Sequence, residues 1–263
     1  MRTRFQKMHG LGNDFVLFDA RQGAVALDGD RVRAIADRRT GIGCDQLIVL
    51  EDSDRADVRM RIFNADGGEV EACGNAARCV ATLMDGDCTI ETLGGVLSGA
   101  PGNGGATVEI GQPRFAHDEI PLSYAMDTSA MPVGWEDLSE PFAVNVGNPH
   151  LVFFVPDPAA VDLGRLGPII EQDPLFPAGI NVNVAAIEDG AIRLRTWERG
   201  AGLTPACGTG ACATAVAAIS LKLASSPVEV RQTGGTLRVE WERGGPIRMT
   251  GPAVHVFSGE IDL

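Results

Sequence analysis

The amino-acid sequence predicts an α+β protein of two pseudo-symmetric halves. Each half is a curved, mainly antiparallel sheet wrapped around a central helix, with a site in the cleft between them. Three observations carry this expectation. The phrase Ala72-Cys73-Gly74-Asn75 returns as Ala206-Cys207-Gly208-Thr209, 134 positions later in a 263-residue chain. Other landmarks recur at an offset of 135: Gly12-Asn13 with Gly147-Asn148, Gln46 with Asn181, and Asn64 with Arg199. Further on, Thr92-Leu93-Gly94-Gly95-Val96-Leu97 resembles Gln232-Thr233-Gly234-Gly235-Thr236-Leu237, the offset drifting to 140. Self-similarity at a long period marks duplicated architecture. Finally, strands outnumber helices, and the alanine-rich helix after each cysteine phrase is apolar nearly all round, so it must be buried.

Taken in order, the first half reads as strands Phe15–Asp19, Leu47–Leu50, Val58–Phe63, Thr89–Thr92 and Thr107–Ile110, with helices Gly29–Arg38 and Asn75–Met84. The second half reads as strands Phe142–Val146, Leu151–Val155, Val182–Ile187, Ala191–Thr196, Val228–Gln232, Leu237–Glu240 and Ile247–Thr250, with helices Leu163–Gln172 and Gly210–Leu223. Val58-Arg59-Met60-Arg61-Ile62 and Ile192-Arg193-Leu194-Arg195 show the period-2 alternation of half-buried strands. Gly99–Gly105 is expected to be a flexible hairpin tip, and Gln112–Met131 the crossover between halves. The closing strand Ala253–Phe257 is expected to return to the first domain, which sets the domains as 1–112 plus 252–263 with Cys73, and 113–251 with Cys207.

The net charge of −13 argues against a phosphate-backbone binder, which needs a basic face. No run approaches the ~18 apolar residues of a membrane span, and the N-terminus lacks a signal-peptide core. A cytoplasmic enzyme with no nucleic-acid or membrane partner is the expectation. Six cysteines without a secretory signal do not suggest disulfides. No CxxC pair is present, and His9, His117, His150 and His255 are scattered without metal-ligand spacing, so no metal is expected. Cys44, Cys79, Cys88 and Cys212 read as small core residues.

Cys73 and Cys207 differ from these four. A cysteine just ahead of a helix faces unpaired N–H groups and the positive end of the helix dipole, which favours thiolate. Taken singly, each phrase is an N-capping turn with a buried cysteine; the duplication makes them a pair. Two thiols across a pseudo-two-fold axis reach opposite faces of one carbon. One, as thiolate, removes a proton and the other delivers one, which inverts configuration. The N–H groups of Gly74, Asn75, Gly208 and Thr209 would receive a carboxylate on that carbon. Trp197-Glu198-Arg199 adds a fork for a second carboxylate and an acceptor for an ammonium. Asn13, Asn64, Asn148 and Asn181 offer neutral amides that donate and accept. Together these residues suggest a small substrate with amino-acid character at two ends.

Several segments then resemble the diaminopimelate epimerase family. They are Lys7-Met8-His9-Gly10-Leu11-Gly12-Asn13-Asp14-Phe15, Gly41-Ile42-Gly43-Cys44-Asp45-Gln46, Phe63-Asn64-Ala65-Asp66-Gly67-Gly68-Glu69 and Cys73-Gly74-Asn75-Ala76-Ala77-Arg78-Cys79. Gly147-Asn148-Pro149-His150, Trp197-Glu198-Arg199-Gly200 and Ala206-Cys207-Gly208-Thr209-Gly210-Ala211-Cys212 extend the likeness to the second half. The resemblance implies interconversion of LL- and meso-diaminopimelate for lysine and peptidoglycan precursors, with no pyridoxal phosphate or metal. It implies Cys73 and Cys207 as the two bases, and Asn13, Gln46, Asn64, Asn148, Asn181, Glu198 and Arg199 as substrate-binding residues. Gly74, Asn75, Gly208 and Thr209 would meet the reacting carboxylate. Asn64, Asn181, Glu198 and Arg199 would grip the distal stereocentre, and His150 would support the site. It also implies a homodimer that closes on substrate. Ala77 stands where the family often has glycine, and Leu203 where it often has glutamate.

Rival readings are weaker. Proline or hydroxyproline racemases share the two-cysteine logic, but typically read Cys-Gly-His-Gly where this chain has Cys73-Gly74-Asn75-Ala76, and lack a pair like Glu198-Arg199. A phenazine-type isomerase would have lost the cysteine pair. A thiol redox protein would use Cys73 and Cys207 as a switch.

Overall fold

The computed structural model describes the whole chain except Met1, Gln22, Ala24 and Ala72, so the alanine that opens the first cysteine phrase lies outside the described residues. The chain divides into two compact units, Met1–Glu109 with Thr250–Leu263, and Ile110–Met249. No helix among the described residues is long and apolar enough to cross a membrane.

In the first unit, Arg2–Gly10 and Asn13–Asp19 form a hairpin, and Asn13–Asp19 runs parallel to Gln46–Glu51 with helix α1 (Gly29–Ala36) in the connection. Gln46–Glu51 pairs antiparallel with Val58–Asn64, which pairs antiparallel with Glu69–Val70 and parallel with Cys88–Thr92. Two hairpins follow, through Gly95–Gly102 to Gly105–Glu109. Helix α2 (Gly74–Ala81) enters between Glu69–Val70 and Cys88–Thr92. It packs on Arg2–Gly10, Gly95–Gly102 and Gly105–Glu109. The closing strand Val254–Asp262 pairs antiparallel with Arg2–Gly10. A separate cluster around Phe5, Val16, Phe18, Val32, Ile35 and Leu47 seats α1 on the sheet.

The second unit repeats this order of pairings. Phe142–Asn145 and Pro149–Phe154 form the hairpin, and Pro149–Phe154 runs parallel to Asn181–Glu188 with helix α3 (Leu163–Glu171) in the connection. Asn181–Glu188 pairs with Ala191–Glu198, which pairs antiparallel with Gly202–Thr204 and parallel with Val228–Gln232. Val228–Gln232 turns into Gly235–Glu240. Helix α4 (Gly208–Ser220) takes the place of α2 and is buried from Gly210 to Ala218. The mainly antiparallel character is there, but each unit carries two parallel pairings where a strand resumes after a helix.

Several boundaries differ from expectation for local reasons. Helix α1 stops at Ala36 because the Asp37 side chain accepts from the N–H groups of Arg39 and Thr40, folding the chain into a turn. Helix α4 stops at Ser220, where Lys222 takes a positive φ of 61° and Leu223 N–H returns to the Ala218 carbonyl. Gly99–Gly105 is mostly strand, not a loose tip. Glycines pair through backbone alone, as Gly99 with Val108 and Gly102 with Gly105 do. Within 112–131, Arg114 bridges to Asn145, and Ile120, Leu122 and Met131 enter the core of the second unit. That stretch is packed rather than merely connecting.

The registers correct one sequence-level correspondence. Phe15 lies opposite Gln46 and His150 opposite Asn181, an offset of 135. Ile62 lies opposite Val70 and Thr196 opposite Thr204, an offset of 134. The connection into the second of these strands is one residue shorter in the second unit. The structural equivalent of Asn64 is therefore Glu198, and Arg199 falls one position beyond.

Candidate active site

Cys73 and Cys207 are the N-cap residues of α2 and α4, both in extended conformation (φ −147° and −124°). Gly74-Asn75 and Gly208-Thr209 are the first two residues of those helices, so their N–H groups have no partner within the helix. Each approach to a cysteine is pinned by the tight turn of a hairpin. Gly94 N–H donates to the Glu71 carbonyl at 3.0 Å, and Gly234 N–H to the Pro205 carbonyl at 2.7 Å. The two Gly-Gly phrases recognised in the sequence thus do the same job in both units.

The thiols themselves differ. Cys73 is half-buried, and its Sγ donates to Asn13 Oδ1 at 3.7 Å. Cys207 is 3% exposed, and its Sγ accepts from Gly210 N–H at 3.3 Å with Thr209 Oγ1 3.6 Å away. Burial pushes the Cys207 thiol well above its ordinary value, and the Glu198 carboxylate adds to the rise; the Thr209 hydroxyl and Gly210 N–H oppose it without prevailing. The expected lowering at a helix N-terminus is therefore reversed at Cys207, because loss of solvent outweighs two hydrogen bonds. It stands as a thiol. The other cysteines are buried, and burial raises Cys44 to about 11 and Cys79 to about 12, so they are inert.

Around Cys73 the polar residues are tied by charge. Asn13 Nδ2 donates to Asp45 Oδ2 at 3.1 Å, and its Oδ1 accepts from Asn75 Nδ2 at 3.2 Å. Arg38 Nη2 donates to both Asp14 (2.7 Å) and Asp45 (2.6 Å), and Lys7 Nζ to Asp14 at 2.5 Å. Burial works to raise Asp14, but its bonds from Arg38 and Lys7 prevail and hold the carboxyl well below the usual range. Fully buried Arg78 donates to Asn75 Oδ1 at 2.8 Å. Gln46 Nε2 donates to Asn64 Oδ1 at 2.9 Å, while Gln46 Oε1 is buried with no partner among the described residues.

Around Cys207 the ties are mostly neutral. His150 Nε2 lies 2.9 Å from Asn148 Oδ1, and its Nδ1 lies 3.1 Å from Asn183 Nδ2. Burial, helped by Arg199, lowers His150 to about 3, so the ring is neutral. Asn181 Nδ2 donates to the Pro149 carbonyl (2.7 Å), and its Oδ1 accepts from Arg199 N–H (3.0 Å). Glu198 and Arg199 part company: the Glu198 carboxylate accepts from Thr204 Oγ1, and Arg199 Nη1 donates to the Ala178 carbonyl at 2.9 Å. Glu171 of α3 fixes their loop from both sides, accepting from Trp197 Nε1 (2.6 Å) and Gly200 N–H (2.9 Å). Gln232 Oε1 accepts from Cys207 N–H at 2.7 Å, and Gln232 Nε2 is buried without a partner among the described residues. Leu203 is exposed on Gly202–Thr204, and Ala77 is buried in α2.

Sequence reasoning singled out none of Asp45, Arg38, Lys7, Arg78, Asn183, Glu171 or Gln232 for these roles. One signal was available. Asn183 sits two residues after Asn181 in an otherwise apolar strand, and a polar residue on a buried face needs a partner.

Comparison with known proteins places the chain in a family. The family model described as diaminopimelate epimerase matches residues 5–116 and 142–256. A diaminopimelate epimerase of Rhizorhabdus wittichii is 64% identical over 265 residues, spanning 100% of this chain and 97% of its own length. That of Sphingopyxis alaskensis is 61% identical, spanning 100% and 98%. Among solved structures, a PhzF-family phenazine biosynthesis protein of Bacillus anthracis superposes with a TM-score of 0.67 at 17% identity, covering both chains fully. A hydroxyproline epimerase of Agrobacterium vitis gives 0.67 at 16% identity, covering 99% of this chain and 92% of its own. At such identities these two speak for the fold alone. The family-model match in both halves, with a full-length relative at 64% identity, is of another order: this chain belongs to the diaminopimelate epimerase family.

Proposed function

We propose that this isomerase interconverts LL- and meso-2,6-diaminopimelate by carrying a proton across one α-carbon between Cys73 and Cys207. One observation supports this above others: each cysteine is the extended N-cap of a buried helix in a topology that repeats, with unequal polar residues at equivalent points. The thiolate of one cysteine takes the α-proton, and the electron pair left behind delocalises into the attached carboxylate. The thiol of the other then delivers its proton to the opposite face. The enzyme ends with the two roles exchanged, and the next turnover in reverse restores them. Cys207, buried beside Glu198, holds its proton and stands as the acid in the state described here, and Cys73 must first give up the proton it directs at Asn13 Oδ1 before it acts as base in that direction.

The N–H groups of Gly74, Asn75, Gly208 and Thr209 receive the reacting carboxylate and the charge that develops on it. These donors and the thiols supply the chemistry without pyridoxal phosphate or metal. Asn13 and Asn148 flank the reacting centre, with His150 behind Asn148. Arg199 takes the distal carboxylate in its fork, and Glu198 the distal ammonium, exchanging Thr204 for it. Asn64 and Asn181 complete that grip, and the orphaned Gln46 Oε1 suits an N–H donor. The protein works in the cytoplasm as a homodimer. Val254, Val256 and Phe257 are exposed on a closing strand whose described pairing lies on one side only, which leaves an edge for a second copy.

Proton exchange in deuterated water tests the proposal. In a single turnover LL-diaminopimelate should gain deuterium at one α-carbon only, and proline at none. Exchange at the L centre of meso-diaminopimelate in that first turnover, or exchange into proline, would overturn the assignment of the distal grip.

A further inference from the structure

We infer that Asn183 and Thr196 are positioning residues that lock His150 as its Nε2–H tautomer, so that Asn148 turns its NH2 group, not its oxygen, to the substrate. The bonding sequence admits one direction. The Leu151 carbonyl can only accept, so the Asn183 group 3.0 Å from it is the NH2. The Asn183 oxygen then accepts from Thr196 Oγ1 at 3.0 Å. The second N–H of that NH2 points to His150 Nδ1, 3.1 Å away, which must be the unprotonated ring nitrogen. The ring proton is therefore on Nε2, and it goes to Asn148 Oδ1 at 2.9 Å. With the oxygen engaged, the free end of the planar Asn148 amide is a donor.

The other unit shows that this polar trio is not required by the fold. Phe15 lies opposite Gln46 as His150 lies opposite Asn181, and Ile48 lies opposite Ile62 as Asn183 lies opposite Thr196. Phe15, Ile48 and Ile62 are fully buried, as are His150 and Asn183, with Thr196 at 2%. The same backbone thus accepts an apolar trio. Its polar replacement has been accommodated at a third point: a Cβ on Gly210 would lie 2.7 Å from Asn183 Oδ1 and 3.0 Å from Thr196 Oγ1. In α2 the equivalent residue is Ala76. Gly210 is also the residue whose N–H holds the Cys207 sulfur, so the trio lies directly beneath the thiol's support.

Asn13 is fixed the opposite way. Its NH2 is committed to Asp45, and its oxygen faces Cys73. One unit presents an acceptor and the other a donor, which lets a duplicated scaffold tell an ammonium from a carboxylate. This last step rests on the proposed diaminopimelate reaction; the tautomer does not.

The test uses the full-length protein labelled with 15N-histidine, read by NMR between pH 5 and 8. His150, identified by the signals lost in His150→Gln, should show a neutral Nε2–H ring throughout. In Asn183→Leu both tautomers should appear, and KM for diaminopimelate should rise by about ten- to a hundredfold, the loss expected for one buried hydrogen-bonding partner, with a smaller change in kcat. Thr196→Val should show the same trend more weakly, and Thr196→Ser should restore both readouts. A wild-type ring protonated on Nδ1, or charged at pH 6, overturns the inference. So does a folded Asn183→Leu with unchanged tautomer and KM. If Asn183→Leu does not fold, the wild-type ring and the Thr196 pair decide. A locked Nε2–H ring in a protein inactive on diaminopimelate would leave the tautomer standing and sink the functional proposal alone.

Discussion

Asn13 and Asn148 stand at equivalent points of the two units, yet the first is held by ions and the second by neutral dipoles. Behind Asn13 lie Asp45, Arg38, Asp14 and Lys7, and behind its neighbour Asn75 lies the buried Arg78. Behind Asn148 lie His150, Asn183 and Thr196. The contrast extends into the helices, where Arg78 of α2 corresponds to Cys212 of α4, and into the strands, where Asn64 corresponds to Glu198. Duplication preserved the strand pairings and the N-cap geometry of both cysteines. Differentiation was left to side chains that change polarity without moving the backbone. In the proposed reaction, proton transfer uses the symmetric part, and reading a substrate with two different ends uses the asymmetric part.

The hardest way to break the comparison is at what the units share. Cys73→Ala and Cys207→Ala should each abolish epimerisation, a loss of about 10³-fold or more for removing an acid or base. Loss of α-proton exchange from both diaminopimelate isomers would register it. If either variant epimerised at near wild-type rate, the two-base scheme would be wrong.

Replacing the asymmetry comes next. Glu198→Asn gives the second unit the residue of the first and removes both the proposed ammonium acceptor and a charge that raises Cys207. We expect kcat/KM to fall by about 10²-fold, the weight of a charged hydrogen bond. The thiol titration of Cys207, followed by the pH dependence of its alkylation, should move down. An unmoved titration would show that burial alone sets Cys207.

Much of this was readable beforehand, and the misses have physical causes. Twin phrases exposed the duplication because N-cap cysteines, their glycines and the Gly-Gly turns must keep their spacing to pin the same loops. The pairing of Asn64 with Arg199 failed by one position because a hairpin connection had lost a residue, which only strand register reveals. Burial reversed the expected shift of Cys207, since a sequence does not show how much solvent a helix terminus retains. Arg2–Gly10 carries no clear strand pattern because its arginines mask a strand paired on both sides. Asn183 and Thr196 were hidden because single polar residues in strands look like solvent-facing alternation.

Loosening the ionic support should have a milder effect. Asp45→Asn removes the acceptor-only partner of Asn13, so the Asn13 amide can turn over and present either end. About a tenfold drop in kcat/KM is expected, with near-normal stability, because Asp45 is exposed. Full activity at ordinary substrate levels would mean that Asn13 is held by Asn75 and Cys73 alone.

The last test leaves activity aside and probes the neutral support through acid. Folded His150 titrates near 3 because it is buried, whereas an unfolded histidine titrates near ~6.5. Between these values the unfolded chain binds a proton that the folded protein refuses. Stability from this group is therefore complete above pH 6.5 and declines as pH falls towards 3, at up to ~1.4 kcal/mol per pH unit. His150→Phe installs the residue found at Phe15, a ring the same backbone already buries in the first unit. The variant starts less stable, since the Asn183 NH2 and Asn148 oxygen lose a partner, but that penalty does not change with pH. Carboxylates such as Asp14 titrate in both proteins and cancel in the difference. Urea unfolding at pH 7, 6, 5 and 4 should thus give a steeper loss in wild type than in His150→Phe, and parallel slopes would mean that the histidine is not held neutral by the fold.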